Sequence, residues 1–204
     1  MGARNPPPKP SYQEKDHLSM TDALKLGFSS FATPTKGVLV VFCDDGLNFG
    51  AATKKAIGSA VDVVTRVAKA ERFTGKKNST LDLTVPPGLE VSRLAVIGLG
   101  KIAELKPNDF LKLGGLALGR LPNATSDATV FAEIPGGAMR PEQAASLAQG
   151  ARLRAYAFDR YKTKRKEDEK SPKVRNVTIA VGDVAAVRTA FNPRSAITDG
   201  VLLA

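Results

Sequence analysis

Five consecutive apolar residues at positions 38–42, Val-Leu-Val-Val-Phe, constrain the fold of this chain more than any other segment. Four of the five are β-branched or aromatic, which favours a strand over a helix. A run without polar alternation is typical of a strand that is covered on both faces. A turn signal at residues 33–37 precedes it. Because such a sheet needs helices on both sides, the run predicts a layered α/β fold.

Predicted strands and helices alternate along the rest of the chain. An apolar stripe at helical spacing predicts the strongest helix over residues 51–70. Pro107 and Pro141 suit the first turns of two further helices, which we expect to end near residues 120 and 158. The other predicted elements are strands at residues 23–28, 80–85, 94–97, 128–134 and 176–181, and a last helix from about residue 183 that breaks around 192–193. The alternation predicts a three-layer α/β/α domain with a mixed, largely parallel sheet.

The counts of reactive residues restrict the chemistry. Cys43 is the single cysteine, so the chain forms no internal disulfide, and the two acidic residues after it would raise the thiol pKa. We therefore expect a buried apolar side chain at this position. His17 is the single histidine and lies in a polar stretch, where we expect it to be exposed, so a histidine-based metal site or catalytic triad is not expected. The cysteine usage and the lack of an apolar run of about 20 residues predict a cytoplasmic protein that does not enter a membrane.

Two acidic clusters are candidates for carboxylate metal sites. Asp44 and Asp45 directly follow the first apolar run, but adjacent residues of an extended chain point in opposite directions, so we favour a solvated turn. Residues 167–169, Glu-Asp-Glu, lie among lysines and predict a solvated loop. We accordingly expect no catalytic residue, no metal ligand and no cofactor-binding residue in this chain.

A glycine pattern follows the strand predicted at residues 94–97. Gly98, Gly100 and Ala103 match G-x-G-x-x-A, the motif whose glycines let backbone amides approach a pyrophosphate. The next helix should begin within that motif, yet Pro107 predicts a later start, and the acidic residue expected about 20 positions on is missing. A tight turn with a packing role is the better interpretation.

Half of the net charge of +10 lies in one short segment. Residues 160–175 contain eight basic and three acidic residues. A flexible cationic run of this kind suits contacts with a phosphate backbone, and Tyr161 could stack on a base. The candidate nucleic-acid contacts are Lys162, Lys164, Arg165 and Lys166. A solvated connection or a contact between subunits is the alternative that we favour.

The two ends of the chain differ in character. Residues 1–20 are polar and proline-rich and predict a disordered tail. Residues 200–204, Gly-Val-Leu-Leu-Ala, lie within an apolar helical segment that has neither a capping glycine nor a proline stop after it. We expect a domain over residues 21–190 and, in residues 191–204, the start of a linker helix that continues into a further domain.

Several segments together resemble the leucyl aminopeptidase (cytosol aminopeptidase) family in order and spacing. Residues 150–164, Gly-Ala-Arg-Leu-Arg-Ala-Tyr-Ala-Phe-Asp-Arg-Tyr-Lys-Thr-Lys, are similar to a helix of the family and the loop before its last N-domain strand. The other similar segments are residues 72–76 with 81–83, residues 96–101 and residues 200–204. The resemblance covers about residues 20–204.

The resemblance implies a non-catalytic N-terminal domain with a macro-domain-like fold. In the family, a following domain holds two divalent metals, zinc or manganese, and releases N-terminal amino acids, preferentially leucine. Family members form hexamers, so the implied partners are the catalytic domain and sister subunits. None of the family's catalytic motifs occurs in these 204 residues. DNA binding through residues 160–175, and binding of ADP-ribose or a related nucleotide by analogy with macro domains, are the alternatives.

Overall fold

The computed structural model describes residues 24–122, 125–155 and 175–203. Within these ranges the chain forms a six-stranded sheet, a two-stranded hairpin and five α helices. The main strands are β1 (Leu24–Ser30), β2 (Val38–Cys43), β3 (Thr80–Thr84), β4 (Arg93–Gly98), β5 (Asp127–Phe131) and β8 (Arg175–Val181), and the hairpin is β6 (Glu133–Ile134) with β7 (Gly137–Ala138). The helices are α1 (Ala51–Ile57), α2 (Ala60–Ala70), α3 (Pro107–Gly119), α4 (Pro141–Ala155) and α5 (Val184–Leu203), with a short 3-10 helix at Ile102–Glu104.

The main sheet has the strand order β1-β8-β5-β2-β4-β3. Every neighbouring pair is parallel except β3 and β4, which are antiparallel. The five parallel strands therefore end at one edge of the sheet, here called the carboxyl edge, and start at the opposite amino edge. This arrangement confirms the mixed, largely parallel sheet that the sequence predicts.

Alternate residues of β2 face two separate apolar clusters, and all six are buried. Val38, Val40 and Phe42 pack with the side chains of α3 and α4. Leu39, Val41 and Cys43 pack with those of α1 and α2 on the other face. Since α5 also joins the α3 and α4 layer, the domain has the three α/β/α layers expected from its first apolar run.

Glycines let α3 and α4 approach each other closely. A Cβ built on Gly150 would lie 1.8 Å from the carbonyl oxygen of Leu111, and one built on Gly114 would lie 1.8 Å from that of Leu147. Both distances are far inside van der Waals contact, so only glycine fits at the two positions. The resulting helix pair covers much of one face of the sheet.

Two helix predictions were wrong in detail. The helix expected over residues 51–70 is two helices, because Gly58 adopts φ 49° and ψ −126°, outside helical geometry. The break expected around residues 192–193 is absent from the described part of α5, which continues through Pro193. Proline lacks the amide hydrogen that the helix interior uses, but packing on both sides of Pro193 holds the helix together. Val187 lies in the core before it, and Thr198 is buried after it.

Two strand predictions were too long. The strand expected over residues 128–134 ends at Phe131, and Glu133 already belongs to the hairpin. The strand expected over residues 80–85 ends at Thr84, because Val85 takes a positive φ of 46° that a strand does not allow. Residues 156–158, the end of the helix expected from Pro141, lie outside the described ranges. In the described part of the chain, no helix has the length and apolar character needed to span a membrane.

Candidate functional site

A small cleft opens at the carboxyl edge of the sheet, where open α/β folds commonly bind ligands. Its volume is about 220 Å³. Three lysines and two acidic residues dominate its lining: Lys76, Lys77, Lys101, Asp45 and Glu104, together with Leu99, Gly100 and Leu105. The cleft is therefore open to solvent and of mixed charge, and Leu99 and Leu105 contribute apolar surface to it.

The glycine pattern after β4 forms one wall of this cleft. The Gly98 amide donates to the Ser79 carbonyl at 2.8 Å, and the Gly100 amide donates to the Gly75 carbonyl at 2.9 Å. A Cβ on Gly98 would lie 2.3 Å from the carbonyl oxygen of Lys76. These amides bond to the chain itself, and only a single 3-10 turn follows them, so the motif has the packing role that we predicted.

Lys77, which lines the cleft, pairs with Asp109 at the start of α3. Lys77 Nζ donates to Asp109 Oδ2 at 2.7 Å, and the Lys106 amide donates to the same oxygen at 2.8 Å. The Asp109 side chain is 8% exposed and that of Lys77 is 43% exposed. The hydrogen bond from Lys77, then that from the Lys106 amide, lower the pKa of Asp109 despite its burial. The pair joins the start of α3 to the segment after α2.

A buried carboxylate occupies the N-terminus of α1. Glu133 is 3% exposed and accepts hydrogen bonds from the Ala52 amide at 2.9 Å and the Thr53 amide at 2.7 Å. The Thr53 hydroxyl donates to the same carboxylate at 2.7 Å. A Cβ on Gly50 would lie 2.2 Å from the Glu133 Cδ, so glycine is required at that position. Helix N-termini are the usual phosphate sites of α/β folds, and here an internal anion fills this one.

Asp44 and Asp45 do not form a joint site. Asp44 Oδ1 accepts hydrogen bonds from the Gly46 and Asn48 amides at 2.9 and 2.8 Å, and closes the turn after β2. Burial raises the pKa of Asp44, but the hydrogen bonds from Asn48 and Gly46 outweigh that effect and leave it lowered. Asp45 is exposed and faces the cleft. Within the ranges that the structure describes, no three His, Cys, Asp or Glu side chains are grouped so that they could hold a metal ion.

Cys43 is buried at the end of β2, as predicted. Burial, and then the charge of Asp44, raise the pKa of its thiol to about 12. The side chain is consequently protonated at neutral pH and acts as a packing residue.

A second cleft, of about 470 Å³, lies at the amino edge. Asp127 anchors it: Asn176 Nδ2 donates to Asp127 Oδ1 at 3.2 Å, and Lys36 Nζ lies 3.2 Å from Asp127 Oδ2. The hydrogen bonds from Asn176 and then Lys36 lower the pKa of Asp127. Lys36 pairs with Asp127 within the cleft, and Arg93, which also lines it, lies 3.8 Å from Asp82 outside it. Because these charged groups already have partners, the geometry favours strand-end anchoring over ligand binding.

The chain matches the model of the cytosol aminopeptidase family, N-terminal domain, over residues 38–165, more than half of its length. The chain belongs to the cytosol aminopeptidase family. It is 54% identical over 185 residues to a probable cytosol aminopeptidase of Rhodopseudomonas palustris strain TIE-1, a match that covers 91% of this chain and 37% of the relative. A probable cytosol aminopeptidase of Nitrobacter hamburgensis is 50% identical with the same coverage. The chain thus spans little more than a third of the curated relatives that it matches.

Solved structures agree on the fold of this cytosol aminopeptidase domain. A mutant of tomato leucine aminopeptidase superposes with a TM-score of 0.70 at 17% identity, covering 88% of this chain and 37% of that one. The bottromycin maturation enzyme BotP superposes with a TM-score of 0.55 at 16% identity, covering 80% and 31%. At such low identities the likeness shows the fold alone.

The predicted nucleic-acid contacts of the cytosol aminopeptidase domain, Lys162, Lys164, Arg165 and Lys166, lie outside the described residues, as do His17 and residues 167–169. Strand β8, which follows residues 156–174 in the sequence, is parallel to β5 and starts at the amino edge of the sheet. Before them, Arg152 bonds to Ser195 and Asp199 of α5, while the exposed Arg154 reaches Gly119 at the end of α3.

Sequence reasoning missed the role of Glu133. Its partners lie 80 and 81 residues away, and no local pattern distinguishes this glutamate from another polar residue of the strand predicted over residues 128–134. The one feature of the sequence that could have indicated burial of Glu133 is that it directly follows the apolar residues Phe131 and Ala132, both of which are buried.

Proposed function

We propose that this chain is the non-catalytic N-terminal domain of a cytosolic two-metal leucyl aminopeptidase and serves the assembly and capping of a hexamer. The observation that carries the proposal is the match to the family's N-terminal domain, with only 37% of the relatives' length covered. We assign residues 1–20 to a tail, 21–190 to a macro-like domain and 191–204 to the start of a linker helix.

The geometry of the described residues supports a non-catalytic role. No group of potential metal ligands occurs among them, so they do not fit the two divalent metals, zinc or manganese, of the parent reaction. At the carboxyl edge, where a doubly wound sheet would hold a ligand, the Gly100 amide already donates to the Gly75 carbonyl and the Thr53 amide to Glu133. We assign the metals and the hydrolysis of the peptide bond to the part of the relatives' length that lies beyond the match.

Hydrolysis of leucine-p-nitroanilide with added manganese tests this proposal. The 204-residue chain should be inactive. A chimera in which it replaces the matched segment of the Rhodopseudomonas palustris relative should be active. Activity of the chain alone would contradict the proposal and would direct attention to Asp44 and Asp45. A chimera that folds and assembles but lacks activity would also contradict it, provided that the unmodified relative is active in the same assay.

DNA binding through residues 160–175 is the second candidate. It is favoured by the eight basic residues of that segment and by the exposed Arg154, which precedes the segment in the sequence. Replacing Lys162, Lys164, Arg165 and Lys166 with alanine should weaken binding and flatten its salt dependence, with the logarithmic slope falling by up to about 0.9 for each lost phosphate contact. Fluorescence anisotropy with duplex DNA at several salt concentrations measures this. Unchanged affinity and slope would dismiss the candidate.

Nucleotide or ADP-ribose binding, by analogy with macro domains, is the third candidate and rests on the fold alone. A pyrophosphate would have to displace the buried Glu133 carboxylate from the α1 amides. We expect calorimetry with ADP-ribose at millimolar concentration to show no heat of binding.

A further inference from the structure

Two crevices flank the carboxyl end of β2. The chain continues from β2 into α1 and α2, which pack on one face of the sheet. It continues from the two parallel neighbours of β2, strands β4 and β5, towards α3 and α4 on the other face. Neighbouring parallel strands that are followed by helices on opposite faces leave a crevice between them, and open α/β sheets bind their ligands in such crevices.

The chain itself fills one of these crevices. Glu133 follows β5, and its carboxylate accepts hydrogen bonds from the Ala52 and Thr53 amides of α1, which follows β2. The small cleft of about 220 Å³ lies between β2 and β4, with Asp45 on the segment after β2 and Leu99 on the segment after β4. The fold therefore leaves this second crevice open to a ligand.

The backbone beside the open cleft packs against itself. The Gly100 amide donates to the Gly75 carbonyl at 2.9 Å, and a Cβ on Gly75 would lie 1.9 Å from the carbonyl oxygen of Asp44. A phosphate site of the usual kind presents backbone amides to the anion. Because the Gly100 amide is already bonded, a ligand in this cleft has to be recognised by side chains.

Two charged side chains of the cleft have no partner of their own chain. The other three of its five charged side chains are already paired, Lys77 with Asp109 and Lys101 with Glu104. Within the part of the chain that the structure describes, the side chains of Asp45 and Lys76 take part in no ion pair and no hydrogen bond. Both are exposed and their charges are opposite, so the cleft offers one negative and one positive group to a ligand.

The size and lining of the cleft define one class of ligand. Its volume of about 220 Å³ is below the roughly 300–1,000 Å³ of pockets that take drug-sized ligands, so a nucleotide does not fit. Asp45 attracts an ammonium group and Lys76 a carboxylate, and Leu99 and Leu105 add apolar surface. A free aliphatic α-amino acid carries these three features in one small molecule. Asp45 would repel a phosphate, and no three potential metal ligands are grouped among the described residues.

We infer that the cleft between the carboxyl ends of β2 and β4 binds a free α-amino acid with an aliphatic side chain, whose ammonium group lies at Asp45 and whose carboxylate lies at Lys76. The inference concerns the described residues of this domain alone, so it goes beyond the proposed function and does not depend on it. An open site of this size buries little of its ligand, and we expect a Kd on the order of 1 mM.

Titration of the 204-residue chain with L-leucine, followed by heteronuclear NMR of the backbone amides, tests the inference. The amide signals of Gly46, Gly100 and Lys101 should move together with one Kd, because these residues adjoin the charged groups or line the cleft. Signals that move only elsewhere in the domain would overturn the inference. So would signals that do not move at leucine concentrations far above the expected Kd.

Substitutions of the two unpaired charges test the side chains that we assign. Asp45→Asn and Lys76→Met should each raise the Kd for leucine about three- to fivefold, the range for one exposed ion pair. The matched controls Asp62→Asn and Lys69→Met change the same residue types at exposed positions of α2 outside the cleft, and should leave the Kd unchanged. Thermal denaturation of each variant confirms that the fold is retained. Equal effects of the cleft variants and their controls would refute the site.

Two analogues of leucine separate the contributions of its charges. Isocaproate lacks the ammonium group and isoamylamine lacks the carboxylate, so each should bind more weakly than leucine. Asp45→Asn should not weaken the binding of isocaproate, and Lys76→Met should not weaken that of isoamylamine. Inorganic phosphate should not displace leucine. If isocaproate bound as tightly as leucine, or phosphate displaced leucine, the cleft would be a general anion site and the inference would be wrong.

Discussion

One carboxylate oxygen of Asp109 accepts two hydrogen bonds, which join two segments of the chain. It accepts the Lys106 amide at the start of α3 and the ammonium group of Lys77 from the segment after α2. Hydrogen bonds to a charged group contribute more than those between neutral groups, about 1.5–3 kcal/mol each. The half-exposed Lys77 places this contribution towards the lower end of that range.

Asp109→Asn should therefore lower the free energy of unfolding at pH 7 by about 1.5–3 kcal/mol. The folded state lowers the pKa of Asp109, so its contribution is complete above the pKa of the unfolded chain, about 3.9. It is lost as the pH falls through the lower pKa of the folded state. Urea denaturation of both proteins between pH 7 and pH 2.5 should show the difference shrinking below about pH 4. A stability difference that stays constant over this pH range would show that the charge of Asp109 does not cause the stabilisation.

The crossing of α3 and α4 sets the thickness of one helical layer. Gly150 meets the carbonyl oxygen of Leu111 where any side chain would overlap it, whereas Gly200 of α5 faces open space. The two glycines are both helical, so they form a matched pair in which only the packing differs.

Gly150→Ala should destabilise the domain by at least about 1–3 kcal/mol, because the helices must separate to admit a methyl group. Gly200→Ala should instead stabilise the isolated chain by about 0.5–1 kcal/mol, through the lower backbone entropy of the unfolded state. Urea denaturation of the two variants measures both effects. If both substitutions shifted stability in the same direction, the close approach of the helices would not be the cause.

Gly58 separates α1 from α2 through its backbone alone. Its φ and ψ suit glycine, and a Cβ there would meet nothing within 4 Å. Gly58→Ala should cost about 1–3 kcal/mol of stability from backbone strain, without any steric clash. The measurement is thermal denaturation, with helix content followed by circular dichroism. A neutral effect would mean that α1 and α2 can join as one helix.

The sequence predicted the elements better than their ends. Periodicity and the apolar run at residues 38–42 located the six strands of the main sheet and the helical segments, because each pattern is set by neighbouring residues. The break at Gly58 was missed because a lone glycine within a helical pattern is often tolerated. The continuity of α5 through Pro193 was missed because it depends on α4, which holds Arg152 against Asp199. Contacts between distant segments leave no local pattern.

For the molecule as a whole, the sequence predicts no metal site, so added divalent metal should not stabilise the fold. Manganese or zinc at millimolar concentration should leave the melting temperature of the 204-residue chain unchanged. A ligand present at 100 times its Kd would stabilise the folded state by about 2.7 kcal/mol, which is several degrees for a domain of this size. Differential scanning fluorimetry with and without a chelator measures the shift, and a rise of several degrees would reveal a site.

The candidate site was only partly predictable. The packing role of Gly98 and Gly100 followed from the late helix start at Pro107, which is a local feature. The contact of Glu133 with the N-terminus of α1 could not be predicted, since it joins residues 80 positions apart. The candidate contacts in residues 160–175 stay predictions.

The contact between Glu133 and α1 also has a kinetic consequence. The first turn of α1 lacks side-chain capping from Gly50 and obtains its carboxylate partner from a hairpin that follows much later in the chain. An isolated seven-residue helix is not stable in water, so α1 gains lasting order only after strands β2 and β5 have brought the hairpin alongside. During refolding, the amides of Ala52 and Thr53 should become protected from hydrogen exchange together with the hairpin and after the central strands, which makes them reporters of a late folding step.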